Sequence, residues 1–165
     1  TFFVMDEGTD TGDIISQEKI KIVEDNAFSL YNKIINVALK QIVSFSLELE
    51  TKGGFLEKIK QDKTEGNFWR KRTKNDGKID FRMTSRAILN LVNALSKPYV
   101  GAHLEFQKKE IKVWSVREEK IDRLNFEPGK VLEIDGSDLI VKTYDGSIRI
   151  IDHEFDQLPL KGQYL

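Results

Sequence analysis

Eight residues near the start of the chain, Asp6-Glu7-Gly8-Thr9-Asp10-Thr11-Gly12-Asp13, place four acids around two glycines. A carboxylate on a glycine-bracketed loop at a strand end can orient a base or polarise a water. Asp10, flanked by Thr9 and Thr11, is the candidate for that work. The same acids also read as a solvated turn, with Asp side chains capping their own backbone amides. A calcium loop fits poorly, because the spacing is not that of an EF-hand and no bidentate glutamate follows.

A second group is basic. Phe68-Trp69 precedes Arg70-Lys71-Arg72-Thr73-Lys74. Guanidinium groups grip phosphates in bidentate fashion, and neighbouring aromatics can stack a base. The plainer reading is a solvated linker anchored by Trp69. Other chemistries are closed by composition. The 165 residues include no cysteine, so disulfides, thiolate metal sites and a cysteine nucleophile are excluded. His103 and His153 are the two histidines, too few for a histidine metal site or a self-contained catalytic triad, and we expect no metal. The formal net charge of -1 gives no global attraction to nucleic acid or anionic lipid. No apolar run approaches a membrane span, and with no visible signal peptide the cytoplasm is the expected compartment.

The elements that would hold these residues follow from periodicity. Thr1-Phe2-Phe3-Val4-Met5 reads as an interior strand with nothing before it to cover it, which we take as the mark of a larger polypeptide cut at this point. A second strand is expected from Ile14 to Val23, where Ile20 and Ile22 alternate with lysines. From Ala27 to about Leu49, Leu30, Tyr31, Ile34, Ala38, Ile42, Phe45 and Leu49 recur at helical spacing and predict a long amphipathic helix ended by Gly53-Gly54. Strand, acidic loop, strand and helix form a piece of an α/β sheet too small to bury both faces alone. Residues 55–83 read as a linker over a surface. Thr84 or Ser85 caps a shorter helix to about Leu95. Strands are then expected at 102–106, 111–116, 130–134, 139–143 and 147–151, with Asp135-Gly136 and Asp145-Gly146 as hairpin signals. Five short antiparallel strands point to a small closed or nearly closed barrel, the OB type being one option.

The run Met5 to Ile15 resembles the signature loop of 10-formyltetrahydrofolate-dependent formyltransferases. Lys71-Arg72-Thr73 with Asp76-Gly77-Lys78-Ile79-Asp80-Phe81 resembles the family's approach to its carboxy-terminal domain. Pro98-Tyr99-Val100-Gly101-Ala102 is similar to its Pro-Tyr-Pro-Gly-Ala element with Val100 in place of a proline, and Glu110-Ile111-Lys112-Val113-Trp114 to its barrel strand. The resemblance implies the end of a Rossmann-like catalytic domain over 1–54, a linker over 55–83, and a helix plus OB-like antiparallel barrel over 84–165. It also implies transfer of a formyl group from 10-formyltetrahydrofolate to an amine. The family's catalytic Asp maps onto Asp10, and the folate pocket onto backbone groups of Asp6, Gly8 and Gly12, although these glycines also read as turn formers alone. The family's Asn-x-His motif has no counterpart in this chain, so the chain by itself is expected to be inactive.

Two acceptor classes follow from the resemblance, the amine of a nucleotide-linked amino sugar and the methionyl end of initiator tRNA. A tRNA enzyme needs a basic surface to neutralise phosphates. The barrel half is rich in acids, among them Glu118, Glu119, Asp122, Glu133, Asp135 and Asp138. Together with the Lys71-Arg72 and Pro98-Tyr99 variants, this favours the sugar amine, with Lys71 and Arg72 as candidate ligands of the nucleotide diphosphate. A homodimer is compatible with this reading. A non-catalytic binding module built on the small barrel is the alternative from another class.

Overall fold

The computed structural model describes residues 1–62, 64–121 and 125–165, so Asp122 lies outside the described residues. The chain divides into two compact units. One comprises Thr1–Glu24 and Ser29–Lys71, and the other Asp25–Phe28 and Arg72–Leu165.

In the first unit, strands β1 (Phe2–Phe3) and β2 (Ile14–Ser16) pair antiparallel around the acidic loop. The amide of Val4 extends the pairing to the Asp13 carbonyl at 2.9 Å. Ile59 then lines the other edge of β2, exchanging two 2.8 Å backbone bonds with Ile14. Part of the expected linker is thus a sheet neighbour. Helix α1 spans Ala27–Thr51 and mostly belongs to this unit. It ends as Gly53-Gly54 predicts: both glycines are left-handed, with φ of 62° and 90°, and the Gly54 amide closes back on the Leu49 carbonyl at 2.8 Å.

Two expectations change here. The second strand stops at Ser16, well short of Val23. Alternation at Ile20 and Ile22 specifies a half-buried strand only where a neighbour pairs with it, and Ile22 and Val23 are exposed. The apolar stripe of α1 is also covered on one side only. Phe45 meets Phe2 edge-on at a centroid distance of 5.2 Å, and Gln41 is buried with its Nε2 donating to Ser16 Oγ at 2.7 Å. Tyr31, Ile34 and Ile42, expected inside, are exposed. Among the described residues of this unit, Leu56 is the single buried hydrophobic side chain.

The second unit has an ordinary core. Helix α2 (Ser85–Ala94) starts at Thr84, whose hydroxyl accepts from the Ala87 amide at 3.2 Å. Five antiparallel strands follow: β3 (Ala102–Phe106), β4 (Lys109–Glu119), β5 (Val131–Asp135), β6 (Asp138–Lys142) and β7 (Ser147–His153). Their order is β3-β4-β7-β6-β5. Among the described residues no pairing joins β3 to β5, and the five strands follow one another in linear order. Ile88 and Val92 of α2 pack with Val113, Leu139, Val141, Ile148 and Ile150 of the sheet, all fully buried. Burying one such side chain stabilises by about 1.5–3 kcal/mol, and this cluster sets the stability of the unit.

Both outer strands are occupied. The Ile79 amide donates to the His103 carbonyl on β3 at 2.7 Å. Beside β5, Val131 exchanges backbone bonds with Gly162 and Gln163, each 2.8 Å. The β3–β4 turn is unusual in its residues: Gln107 and Lys108 adopt φ of 51° and 65° without being glycine or asparagine.

Candidate functional site

The acidic loop is built by short-range bonds that its sequence foreshadows and by one long-range bond that it does not. Asp6 Oδ1 accepts from the Gly8 amide at 3.0 Å and from Thr11 Oγ1 at 2.6 Å. This is an Asx turn reinforced by a hydroxyl, and it commits the Asp6 carboxylate to shaping the loop. Gly12 is buried, and a Cβ there would stand 1.7 Å from the Val4 carbonyl oxygen. At Gly8 a Cβ would meet Thr11 Oγ1 at 2.1 Å. Both glycines therefore permit close packing within the loop, which their residue type alone does not distinguish from a ligand-lining role.

From 49 residues away Gln61 ties the loop down. Its Nε2 donates to the Gly12 carbonyl at 2.6 Å and to the Asp10 carbonyl at 3.0 Å. Nothing in the local pattern singles out Gln61, because its partners are main-chain atoms of a distant segment. Asp10 sits between these anchors in the left-handed region, φ 57°, with an exposed side chain. Among the described residues no hydrogen bond reaches its carboxylate. A non-glycine residue with positive φ is uncommon, and here the backbone around it is fixed on both sides. The arrangement holds a carboxylate outward on a braced main chain, where it can accept a proton or orient a cationic or N–H group.

The sequence candidates thus fall into groups. Asp6, Gly8, Asp10 and Gly12 come together in one loop. Of the backbone groups expected to line the folate pocket, the Gly8 amide is taken by Asp6 within the loop and the Gly12 carbonyl by Gln61 from outside it. Lys71 closes the first unit and Arg72 opens the second; both are exposed. Directly after them Thr73 is locked to a single 3₁₀ turn, Lys74–Gly77, by its amide donating to Asp76 Oδ2 at 2.6 Å. Phe68 and Trp69 are the most exposed aromatics of the segment, at 91% and 80%, so Trp69 does not anchor it to a core.

Both histidines have structural surroundings. His103 is buried on β3, and burial pushes its pKa down. His153 accepts at Nδ1 from the Phe155 amide at 3.3 Å, which leaves Nε2 to donate to the Ser137 carbonyl at 2.8 Å. Among the described residues no group of three or more acids, histidines or cysteines could hold a metal ion. Among the same residues no helix is long and apolar enough to cross a membrane.

In the second unit the element Pro98-Tyr99-Val100-Gly101-Ala102 lies on Trp114 of β4. Gly101, φ 78°, leaves room for the indole: a Cβ would stand 2.9 Å from Trp114 Cη2 and Cζ3. The indole Nε1 donates to Glu154 Oε1 at 2.9 Å, and Lys97 Nζ lies 5.0 Å from its centroid. Two stretches that resemble family motifs are therefore in contact with each other.

The chain is 32% identical over 158 residues to the methionyl-tRNA formyltransferase of Halothermothrix orenii, covering 92% of this chain and 49% of that protein. It is 33% identical over 154 residues to the methionyl-tRNA formyltransferase of Caldanaerobacter subterraneus subsp. tengcongensis, covering 92% and 48%. It therefore spans about half the length of these relatives. Among solved structures, WlaRD, a sugar 3N-formyl transferase crystallised with dTDP and 5-N-formyl-THF, superposes with a TM-score of 0.64 at 23% identity, covering 94% of this chain and 54% of that one. HypX from Aquifex aeolicus, in complex with tetrahydrofolic acid, gives 0.61 at 21% identity, covering 88% and 25%. At these identities the two structures show a shared fold. Residues 71–162 match the family described as "Formyl transferase, C-terminal domain", more than half of the chain, and the chain belongs to the formyltransferase family.

Proposed function

We propose that this chain is part of a folate-dependent formyltransferase that moves a formyl group from 10-formyltetrahydrofolate to the amine of a nucleotide-linked amino sugar. The observation that carries the catalytic part is the braced loop, in which Gln61, Asp6 and the two glycines fix the main chain around an outward Asp10. In this reading Asp10 orients the proton acceptor and assists loss of the amine proton as the amine attacks the formyl carbon. The tetrahedral intermediate then collapses, expelling the folate nitrogen. The Asn and His of the family motif come from the remainder of the enzyme, and the 165 residues alone do not turn over. The end of a Rossmann-like domain and an OB-like closure of the sheet are part of the same reading.

The sugar amine is favoured by the charge pairing on the second unit. Arg149 faces Glu119, Asp135 and Asp138 at 2.9, 2.9 and 3.4 Å, and Lys78, Arg82, Lys109 and Lys112 each lie within 3.4 Å of a carboxylate. Cations already paired offer little net field to a polyanion the size of a tRNA. Exposed Lys71 and Arg72 suffice for one diphosphate. Methionyl-tRNA is the second reading, favoured by the 32–33% identity to methionyl-tRNA formyltransferases.

The test is Asp10→Asn in the full-length enzyme, assayed with a dTDP-amino sugar and with methionyl-tRNA. The chemical step is expected to fall at least about 100-fold, the scale of lost general-base assistance, with folate binding nearly unchanged. Wild-type turnover by the variant would refute the role of Asp10. Formylation of methionyl-tRNA in place of the sugar would establish the second reading.

A further inference from the structure

A cavity of about 230 Å³ lies beside the β3–β4 turn, wholly within the second unit and sharing no residue with the acidic loop. Ile111, a buried core residue of β4, forms part of its lining. Phe106 and Phe155 supply aromatic walls. Both are half-buried, with ring centroids 5.8 Å apart and planes at 72°. Phe155 also meets the His153 ring edge-on at 5.1 Å, which further restrains it.

The polar part of the lining is two primary amides and one ion pair. Gln107 and Gln157 are exposed, and among the described residues neither amide group has a hydrogen-bond partner. Lys109 Nζ lies 3.1 Å from Asp156 Oδ2. Gln107 sits in a strained backbone. The loop between Phe106 and its partner Lys109 has two residues, a length at which asparagine and glycine are preferred because both positions need positive φ. Gln107 and Lys108 occupy them instead, at 51° and 65°. A glycine would make the turn with less strain, whereas only a side chain gives the cavity an amide. Backbone strain of this kind clusters at ligand clamps.

These groups define the ligand. Lys109 and Asp156 neutralise each other, so the lining offers no net charge to an ion. An aliphatic ligand would strip water from two amides and give them no partner in exchange. Aromatic walls with two amides, each both donor and acceptor, complement a flat ring with a polar edge. The volume lies below the roughly 300 Å³ at which pockets for drug-sized ligands begin, which limits the occupant to one ring system. We propose that this cavity binds a neutral planar heteroaromatic ring whose edge alternates N–H donors with acceptors, the chemistry shared by nucleobases and pterins. Phe106 and Phe155 contact the flat ring, and the amides of Gln107 and Gln157 hydrogen-bond its edge. This site stands apart from the proposed function, since it needs neither Asp10 nor formyl transfer.

The test titrates the isotope-labelled 165-residue chain with thymidine, adenosine and biopterin in turn, followed by backbone amide resonances. At least one of the three is expected to shift the Phe106, Gln107, Phe155 and Gln157 amides saturably. The expected dissociation constant is about 0.1–1 mM, the scale for a ligand of this size. Gln107→Gly with Gln157→Ala should weaken that binding at least about tenfold by removing both amides. The same double variant should unfold at a temperature no lower than wild type, because glycine relieves the turn. Preference for thymidine or adenosine over biopterin assigns the ring to a nucleobase, and the reverse preference to a pterin. No saturable shift with any of the three at millimolar concentration overturns the inference. So does a double variant that binds as tightly as wild type, since adsorption to the phenylalanine rings would then account for the shifts.

Discussion

Gln61 Nε2 lies 2.6 Å from the carbonyl oxygen of Gly12, a bond between positions 49 residues apart that closes the acidic loop from outside. Because the same amide group also reaches Asp10, one side chain fixes the main chain on both sides of Thr11. Gln61→Ala should loosen the loop by about 0.5–1.5 kcal/mol, the net value of a typical internal hydrogen bond. Hydrogen exchange at Val4, whose amide bonds Asp13, reads this directly. Unchanged protection there would mean that the loop stands without Gln61.

Gly8 and Gly12 should respond differently to alanine. At Gly12 the added Cβ meets a backbone carbonyl inside the β1–β2 pair, and at Gly8 it meets a hydroxyl on a side chain that can rotate. Gly12→Ala is therefore expected to open the pair and make the first thirteen residues susceptible to limited proteolysis. Gly8→Ala should leave the digestion pattern near wild type. Equal patterns would show that the loop relaxes around either methyl group.

Gly101→Ala introduces both a strained φ and a contact with the Trp114 ring. We expect a loss of more than about 1 kcal/mol in urea unfolding, because alanine tolerates positive φ poorly. Trp114→Phe should recover part of that loss by shortening the ring. Absence of recovery would place the cost in the backbone alone.

Asp145 links the turn before β7 to the start of α2. Its Oδ1 accepts from the Ser85 amide at 2.8 Å, and Ser85 Oγ lies 2.7 Å from Thr143 Oγ1 in the buried interior. The Ser85 amide is the main cause holding the Asp145 carboxyl below the usual range, with the Ser85 and Thr143 hydroxyls assisting. A carboxyl whose folded pKa is depressed adds stability above its unfolded value of about 3.9, and that stability is lost as acid protonates the folded form below it. Asp145→Asn should therefore flatten the acid limb of the stability profile. At pH 7 it should cost no more than about 1 kcal/mol, since the carboxylate is exposed and solvent screens it. A variant with the wild-type acid limb would assign that limb to other carboxylates.

Much of the second unit is legible in the sequence. Helical spacing from Ile88 to Leu95, a Thr-Ser start and two Asp-Gly turns locate α2 and all five strands to within a few residues of their observed ends. Local signals sufficed because each element there is covered by the next. The first unit was harder for the same reason. Ile20 and Ile22 carry a strand pattern, and Tyr31, Ile34 and Ile42 carry a core pattern, but pattern records what a residue suits and not whether its neighbour is present. In the candidate site, Asp10 stands out by its flanking residues and glycines, whereas Gln61 and the Val4 carbonyl emerge only from pairing across the chain. The linear strand order was likewise hidden, since alternation sets which side chains point inward and leaves the pairing of distant strands open.

Occupation of both rims of the five-stranded sheet limits how this domain can diversify. With Ile79 seated beside His103 of β3 and residues 162–163 beside Val131 of β5, a further strand at either position would have to displace a segment of the chain itself. Changes to such a scaffold are tolerated best in its turns and connecting segments, where insertions cost little.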